Sequence, residues 1–303
     1  MKNFILRLLL FTFCWIVFLT GNYFYNLSHI KKEKTFSDNC PTWVFMGDSH
    51  TMTDINPRLY NNAVNMGYHG EPLYITQLKA EKLKKEHSCN NLTLIISFGP
   101  QNLSDFNEEK LLISTYAKGI WDTYYPLLLP PNPLSKEYKL QYNKRSYLNS
   151  ILKNMCLYPR TKHNKWQGHF EERDYALDTA DLQETIQRHY YTSSQKVRKV
   201  SPAAILALDA LCQNKQNISI FLIILPVHPA YKNKIPQSFL DTFKKLVRKY
   251  EKQGVPILNY LEYPMPDSTF YDYDHLNKEG ARIFASILKA DLKKLLQQQH
   301  LSK

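Results

Sequence analysis

Cysteine is sparse in this chain: there are five in 303 residues, no two of them at Cys-x-x-Cys spacing. That excludes a disulfide-dense miniprotein and removes the spacing of a zinc ribbon or a thioredoxin-like site, so no metal and no cofactor are expected. Acidic residues are outnumbered, 27 Asp and Glu against 39 Lys and Arg, for a formal net charge of +12. Such an imbalance suits an acidic partner, be it anionic lipid, an acidic glycan or nucleic acid, and charge alone does not separate these. Internal repeats and low-complexity tracts are missing too, which argues against a solenoid or a disordered tail. The Lys-rich segments 79–85 and 244–252 lack the interleaved aromatic residues of a single-strand groove. They read as solvated helix faces, and no nucleic-acid partner is expected. What is present is a sequence 44% apolar and 22% charged, able to bury the core of one large domain or two small ones.

From Leu8 to Ile30 there is no Lys, Arg, Asp or Glu, and the run from Leu8 to Leu19 continues into Tyr23, Phe24 and Tyr25. A bilayer span needs ~20 mostly apolar residues with aromatic residues at the interface, and this segment supplies both. No Ala-x-Ala-like site follows, which favours an uncleaved anchor over a removed signal peptide. The expected organisation is a short tail (1–7), a transmembrane anchor (8–25), a linker (26–40) and one α/β domain (41–303). Lys2 and Arg7 before the anchor, and Lys31, Lys32 and Lys34 after it, leave the charge count without a vote on orientation. A short N-terminal anchor commonly leads an exported domain, so the expectation is a single-pass membrane protein with its domain outside the cytoplasm. Cys40, Cys89, Cys156 and Cys212 would then face an oxidising compartment, where two bridges in any of three pairings, or four buried thiols, both remain open.

Short apolar runs punctuate the rest: Thr42–Met46, Ala63–Met66, Leu92–Phe98, Ile218–Leu225 and Val255–Leu258. The longer ones are nearly continuous rather than alternating, as in strands covered on both faces of a parallel sheet. Helical spacing separates them, over 72–86 with Pro72 near its first position, and in Phe239, Leu240, Phe243, Leu246, Val247 and Tyr250. Alternating strand and helix predicts a doubly wound, mainly parallel α/β sheet. Between about 103 and 200 the pattern gives way to a Tyr-rich, Pro-interrupted stretch too long for a plain loop. It is expected to be a helical insertion that shapes access or partner contact.

Ser49 ends the first strand, and ligands of open α/β sheets bind at the carboxyl ends of strands. Asp272-Tyr273-Asp274-His275-Leu276-Asn277 precedes a final helix with Ala281, Phe284, Leu288, Leu292 and Leu295 on one side, and Asn277 suits its N-cap. A serine must lose its proton to attack a carbonyl. A histidine can take that proton near neutral pH, and a carboxylate fixes the tautomer and steadies the imidazolium. Ser49, His275 and Asp272 supply those types; Asp274 is the competing carboxylate, expected to be solvated or to cap the last helix. Taken alone, Ser49 would be an ordinary turn residue, Asp48 holds the turn through Asx hydrogen bonds, and His50 lines the site entrance or is exposed. His228, just past a buried strand, is either near Ser49 or a capped structural histidine.

Gly47-Asp48-Ser49 near the start together with Asp272-x-x-His275 ahead of the last helix resembles the SGNH/GDSL hydrolase superfamily, and two further blocks fall in order. Val64-Asn65-Met66-Gly67-Tyr68-His69-Gly70-Glu71 resembles the second block, which implies that Gly70 donates its N–H to an oxyanion, as Ser49 does. Phe98-Gly99-Pro100-Gln101-Asn102 falls where the third block reads Gly-x-Asn-Asp and departs from it. Spacing puts Gln101 at the donor position, residue type puts Asn102 there, and Asn102 is preferred. The anchor, the Gly-Pro-Gln-Asn block and the segment Leu225–Tyr231 are similar to membrane-anchored proteins of lipoteichoic acid D-alanylation and of alginate-type O-acetylation. The resemblance implies an acyl-transfer enzyme, transferase or esterase, that works on a cell-surface polysaccharide beside a multispanning O-acyltransferase. The alternative is an inactive membrane-tethered scaffold.

Overall fold

The computed structural model describes residues 1–36, 40–86, 92–158, 165–174, 181–213 and 218–301. In chain order the elements are α1 (Lys2–Lys32), β1 (Trp43–Met46), α2 (Ser49–Asp54), β2 (Ala63–Asn65), α3 (Leu73–Glu86), β3 (Thr93–Ser97), α4 (Phe106–Leu112), α5 (Ser114–Tyr124), α6 (Pro133–Lys136) and α7 (Lys144–Ile151). They continue with α8 (Asp181–Tyr190), α9 (Pro202–Gln213), β4 (Ser219–Ile224), α10 (Pro229–Lys232), α11 (Gln237–Lys252), β5 (Ile257–Asn259) and α12 (Lys278–Leu301). The chain divides into two compact units, one of Met1–Thr35 with Glu109–Trp166, the other of Phe36–Glu108 with Gln167–Lys303.

The second unit carries the sheet. All five strands are parallel in the order β2-β1-β3-β4-β5, the doubly wound arrangement whose switch point lies between β1 and β3. Each apolar run of the sequence becomes one of these strands, its ends shifted by one or two residues. Period-2 alternation points Phe45, Ile95, Phe221 and Ile223 to one face, where they pack with Phe284, Leu288 and Leu292 of α12. Val44, Met46, Leu94, Ile96, Leu222 and Ile224 point to the other and are equally buried. Both faces are therefore covered, which is why these strands read as unbroken apolar runs. Each fully buried Phe, Leu or Ile contributes about 1.5–3 kcal/mol. On α11 the sequence stripe is the buried stripe, with Phe243 set 5.1 Å from the Phe98 ring past β3.

The first unit is helical. Helix α1 runs past Tyr25 to Lys32, so half of the segment expected as a linker is helix. Its apolar residues up to Phe18 are exposed, and its mean hydropathy over 18 residues is 2.1, enough by length and composition to cross a membrane. Toward its C-terminal end one side of the helix is buried, at Asn26 and Ile30, while Phe24 and Tyr25 stay exposed. Asn26 Nδ2 donates to the Met155 and Tyr158 carbonyls at 2.9 and 2.8 Å, Asn22 Nδ2 donates to Cys156 O at 2.9 Å, and Ile30 packs with Tyr125 and Met155. These carbonyls belong to the π-helical turn Leu152–Leu157 that extends α7, and to the residue after it. Trp121, Tyr142 and Tyr147 form a ring cluster with centroids 5.1–5.3 Å apart. The stretch expected as one insertion thus carries the short helices α4 to α8 and is shared out, residues 109–166 falling in this unit and the remainder in the other.

Cys40 is disulfide-bonded, whereas Cys156 and Cys212 are free thiols; Cys89 lies outside the described residues. Both expected alternatives, two bridges among the four cysteines and four buried thiols, are therefore ruled out.

Candidate active site

The site is built at the switch point, where β1 runs into α2. Gly47 turns the chain with φ +150, and a Cβ on it would lie 2.0 Å from Ser97 Oγ and 2.5 Å from Thr51 Oγ1. Only glycine fits that approach. The Thr51 hydroxyl donates to Ser97 Oγ at 2.5 Å, which pins α2 to the end of β3. Asp48 caps α2 by accepting the His50 N–H at 3.1 Å, leaving Ser49 as the first residue of the helix.

The partner loop lies between β5 and α12. Asp272 Oδ1 accepts the backbone N–H groups of Asp274 and His275 at 3.0 and 2.8 Å, and both its oxygens face His275 Nδ1, at 2.9 and 3.0 Å. A carboxylate only accepts, so the proton on this ring sits on Nδ1 and Nε2 faces Ser49 Oγ at 2.8 Å. Asn277 caps α12 through its Oδ1 on the Gly280 N–H, 3.0 Å, and its Nδ2 holds the Ser268 and Phe270 carbonyls. Asp54 Oδ1 accepts the Leu276 N–H at 2.9 Å and so ties α2 to this loop; burial pushes its carboxyl up to about 7. Ser49, His275 and Asp272 form one hydrogen-bonded chain, brought together from positions more than two hundred residues apart.

Asp274 departs from expectation: it is neither solvated nor a helix cap. It is 1% exposed, its Oδ1 lies 3.4 Å from His275 Nδ1, and neither of its oxygens accepts a hydrogen bond. His50 is likewise not at an entrance but 2% exposed, its ring stacked on that of His275 with centroids 4.5 Å apart. Its Nδ1 faces Asp48 Oδ1 at 3.1 Å and its Nε2 faces Asp274 Oδ2 at 3.6 Å. Burial pulls the His275 imidazole down, but the Asp274 and Asp272 carboxylates outweigh it and hold the ring well above its ordinary value. Burial raises the Asp48 carboxyl, and His50 with the Asn102 and Gln101 amides reverses this to hold it well below the usual carboxylate range.

The third block sits apart from its expected role. Asn102 Nδ2 donates to Asp48 Oδ2 at 2.8 Å and its Oδ1 accepts the Gly99 N–H at 2.8 Å, so the preferred oxyanion donor is instead a buried brace between two turns. Gln101 Nε2, partly exposed, makes three long contacts of 3.3 Å, to Asp48 Oδ2, Asn102 Oδ1 and His50 Nδ1. Gly70 lies with φ +56 in the turn Tyr68–Glu71, whose start is fixed by the Tyr68 N–H on Gly47 O at 3.1 Å. His228 is a capping histidine: its Nδ1 accepts the Ala230 N–H, its Nε2 faces Asp267, and its own N–H holds the Tyr273 carbonyl at 3.0 Å. His189, 85 positions before Asp274 and without any local motif, approaches Asp274 Oδ2 at 3.9 Å. Nothing in the sequence signals that approach.

His50, Asp274 and His275 have ligand atoms within 4.8 Å of one another, the spacing of a metal site. Both nitrogens of His275 are already engaged, by Ser49 and Asp272, and His50 has only Nε2 to give. Two free donors fall short of the three protein ligands that hold a catalytic zinc, so as arranged the cluster does not fit a metal.

No protein-family model matches the sequence, and no curated protein matches it at a significant level. Among solved structures the chain is similar to a GDSL-like lipase from Bacteroides thetaiotaomicron, with 14% identity over 90% of this chain and 98% of that one and a TM-score of 0.39. It is also similar to a protein from Bacteroides fragilis described as an acylhydrolase, with 12% identity over 90% and 95% and a TM-score of 0.38. Both similarities are distant, and the chemistry proposed below rests on this chain's own atoms.

Proposed function

We propose that the chain is a membrane-anchored serine acyl-transfer enzyme of the SGNH/GDSL type, with its sheet-bearing unit outside the cytoplasm. The observation that carries this reading is the hydrogen-bonded chain from Ser49 Oγ through His275 to Asp272, at 2.8 and 2.9 Å. Ser49 Oγ attacks an ester carbonyl as His275 Nε2 takes its proton, and Asp272 holds the tautomer and steadies the imidazolium. The oxyanion meets the Ser49 and Gly70 N–H groups. Gln101 is the better third donor, because its contacts are long and partly exposed whereas both ends of the Asn102 amide are committed. The tetrahedral species collapses as His275 returns the proton to the leaving oxygen. The acyl-serine is then released to water or to a sugar hydroxyl, with His275 again acting as base.

The apolar helix α1 supports the anchor, and the disulfide at Cys40 supports an oxidising compartment. An anchored site on a chain of net charge +12 suits an acidic surface polymer as acceptor. The resemblance adds a multispanning O-acyltransferase as donor-side partner and acetyl as the group moved. A host strain carrying Ser49→Ala is expected to lose O-acyl groups from its surface glycan; a gain of acylation would make the protein a de-acylating esterase instead.

One observation favours the scaffold reading: Asn102 and Gln101 both turn their amides to Asp48 rather than to an oxyanion. Full complementation of a deletion strain by Ser49→Ala would decide for it.

A further inference from the structure

Asp274 is a carboxylate with no hydrogen bond, enclosed by three imidazoles: His275 Nδ1 at 3.4 Å, His50 Nε2 at 3.6 Å and His189 Nδ1 at 3.9 Å. A buried carboxylate without a hydrogen-bond donor is costly and persists only where neighbouring positive charge compensates it. His275 cannot be that permanent charge, because a general base must give its proton up in every cycle. His50 can. It is nearly inaccessible, it bridges Asp48 and Asp274, and its ring lies flat against that of His275, where a positive charge opposes a second one.

We propose that His50 is a positioning residue for His275: as a cation held between Asp48 and Asp274, it compensates the buried Asp274 carboxylate and pushes the proton off the adjacent base. This rests on the Ser49–His275 reading above. The two neighbours of the base then act oppositely, Asp274 holding a proton on His275 and His50 expelling it. Burial lowers the His50 imidazole, but Asp48 and Asp274 bring it above its ordinary value despite the opposing His275. The other titratable groups facing this cluster are Asp48 and Asp54 from the two ends of α2, Asp272 from the β5–α12 loop, His69 from the turn after β2, His189 and Tyr190 from α8, and Tyr231 from α10. Tyr231 Oη lies 2.7 Å from His189 Nδ1 and donates to Tyr190 Oη at 3.2 Å, and burial keeps both phenols neutral.

The test is the pH profile of kcat/KM for a small soluble ester, measured on the full chain in detergent. In His50→Gln the acidic limb is expected to move to higher pH by about one unit, and in Asp274→Asn to lower pH by about one unit, with KM unchanged in both. A packing role alone would move kcat or thermal stability and leave both limbs in place; unshifted limbs, or shifts in the same direction, would overturn the proposal. His50→Asn serves as a second variant if His50→Gln does not fold. The 15N titration of the His275 imidazole in the same three proteins needs no turnover. Opposite shifts there, in a wild type that hydrolyses no ester, would retire the esterase reading while keeping the charge coupling, whereas absent shifts would retire the coupling alone.

Discussion

Two buried carboxylates in the sheet-bearing unit, Glu71 and Asp274, are bonded very differently. Lys79 Nζ donates to Glu71 and to the Met66 carbonyl, and Thr76 donates to the other Glu71 oxygen at 2.9 Å. Asp274, fewer than five ångströms from three imidazoles, accepts nothing. A pair that only has to hold α3 against the turn after β2 can be hydrogen-bonded until its charges are immovable. A group beside a base that gains and loses a proton cannot be locked that way, because each bond that fixes one protonation state opposes the other. The Glu71–Lys79 pair is accordingly read as architecture and the Asp274 cluster as chemistry.

The sharpest break of that contrast is Ser49→Ala, which is expected to lower ester turnover by about 10⁴-fold or more while leaving the melting temperature in place; calorimetry beside an esterase assay reads both. Asp272→Asn comes next, with a loss in kcat of about 10⁴-fold through the wrong tautomer of His275. Rates measured beside Asp274→Asn would tell the orienting carboxylate from the tuning one. Lys79→Ala is the mirror experiment. It strands Glu71 without its cation, at a cost of about 3–5 kcal/mol and a melting point lower by roughly 10 °C, while activity per folded molecule persists.

A smaller effect follows from pH. Since the His275 imidazole is held well above 6.5, kcat/KM is expected to climb only on the alkaline side of that value, as the base becomes free. Stability runs the other way: a raised imidazole contributes fully below 6.5 and loses its contribution as pH rises through the folded-state value. Denaturant titrations across pH 6–9 check the sign. The smallest effect belongs to Asp54. With its carboxyl raised from 3.8 to about 7, the unfolded chain ionises first, so the wild type loses stability as pH rises between those values. Asp54→Asn keeps an acceptor for the Leu276 N–H without the charge and is expected to be the more stable protein near pH 8, by about 1 kcal/mol.

Much of this was open to inspection in the sequence. The five strands are legible because a sheet covered on both faces needs unbroken apolar runs, and α11 because its buried stripe repeats at helical spacing. Ser49, His275 and Asp272 are legible because their residue types and places along an α/β pattern are set by the chemistry of acyl transfer. The rest depends on contacts without local signal. A histidine in the first turn after a strand reads as exposed, whereas His50 is buried against Asp48, Gln101, Asp274 and the His275 ring, three of them far away in the sequence. Asn102 reads as a donor by type, yet its partner, Asp48, is 54 positions away. Asn26 reads as linker, yet its amide reaches the carbonyls of Met155 and Tyr158, more than 120 positions away.

Whether His275 activates Ser49 can be read from covalent labelling of the full chain by a fluorophosphonate probe, in wild type, Ser49→Ala and His275→Ala, with the adduct located by mass spectrometry. A single adduct on Ser49 that disappears in both variants is expected. A folded wild type that takes no label, or a label that survives in Ser49→Ala, would contradict that activation.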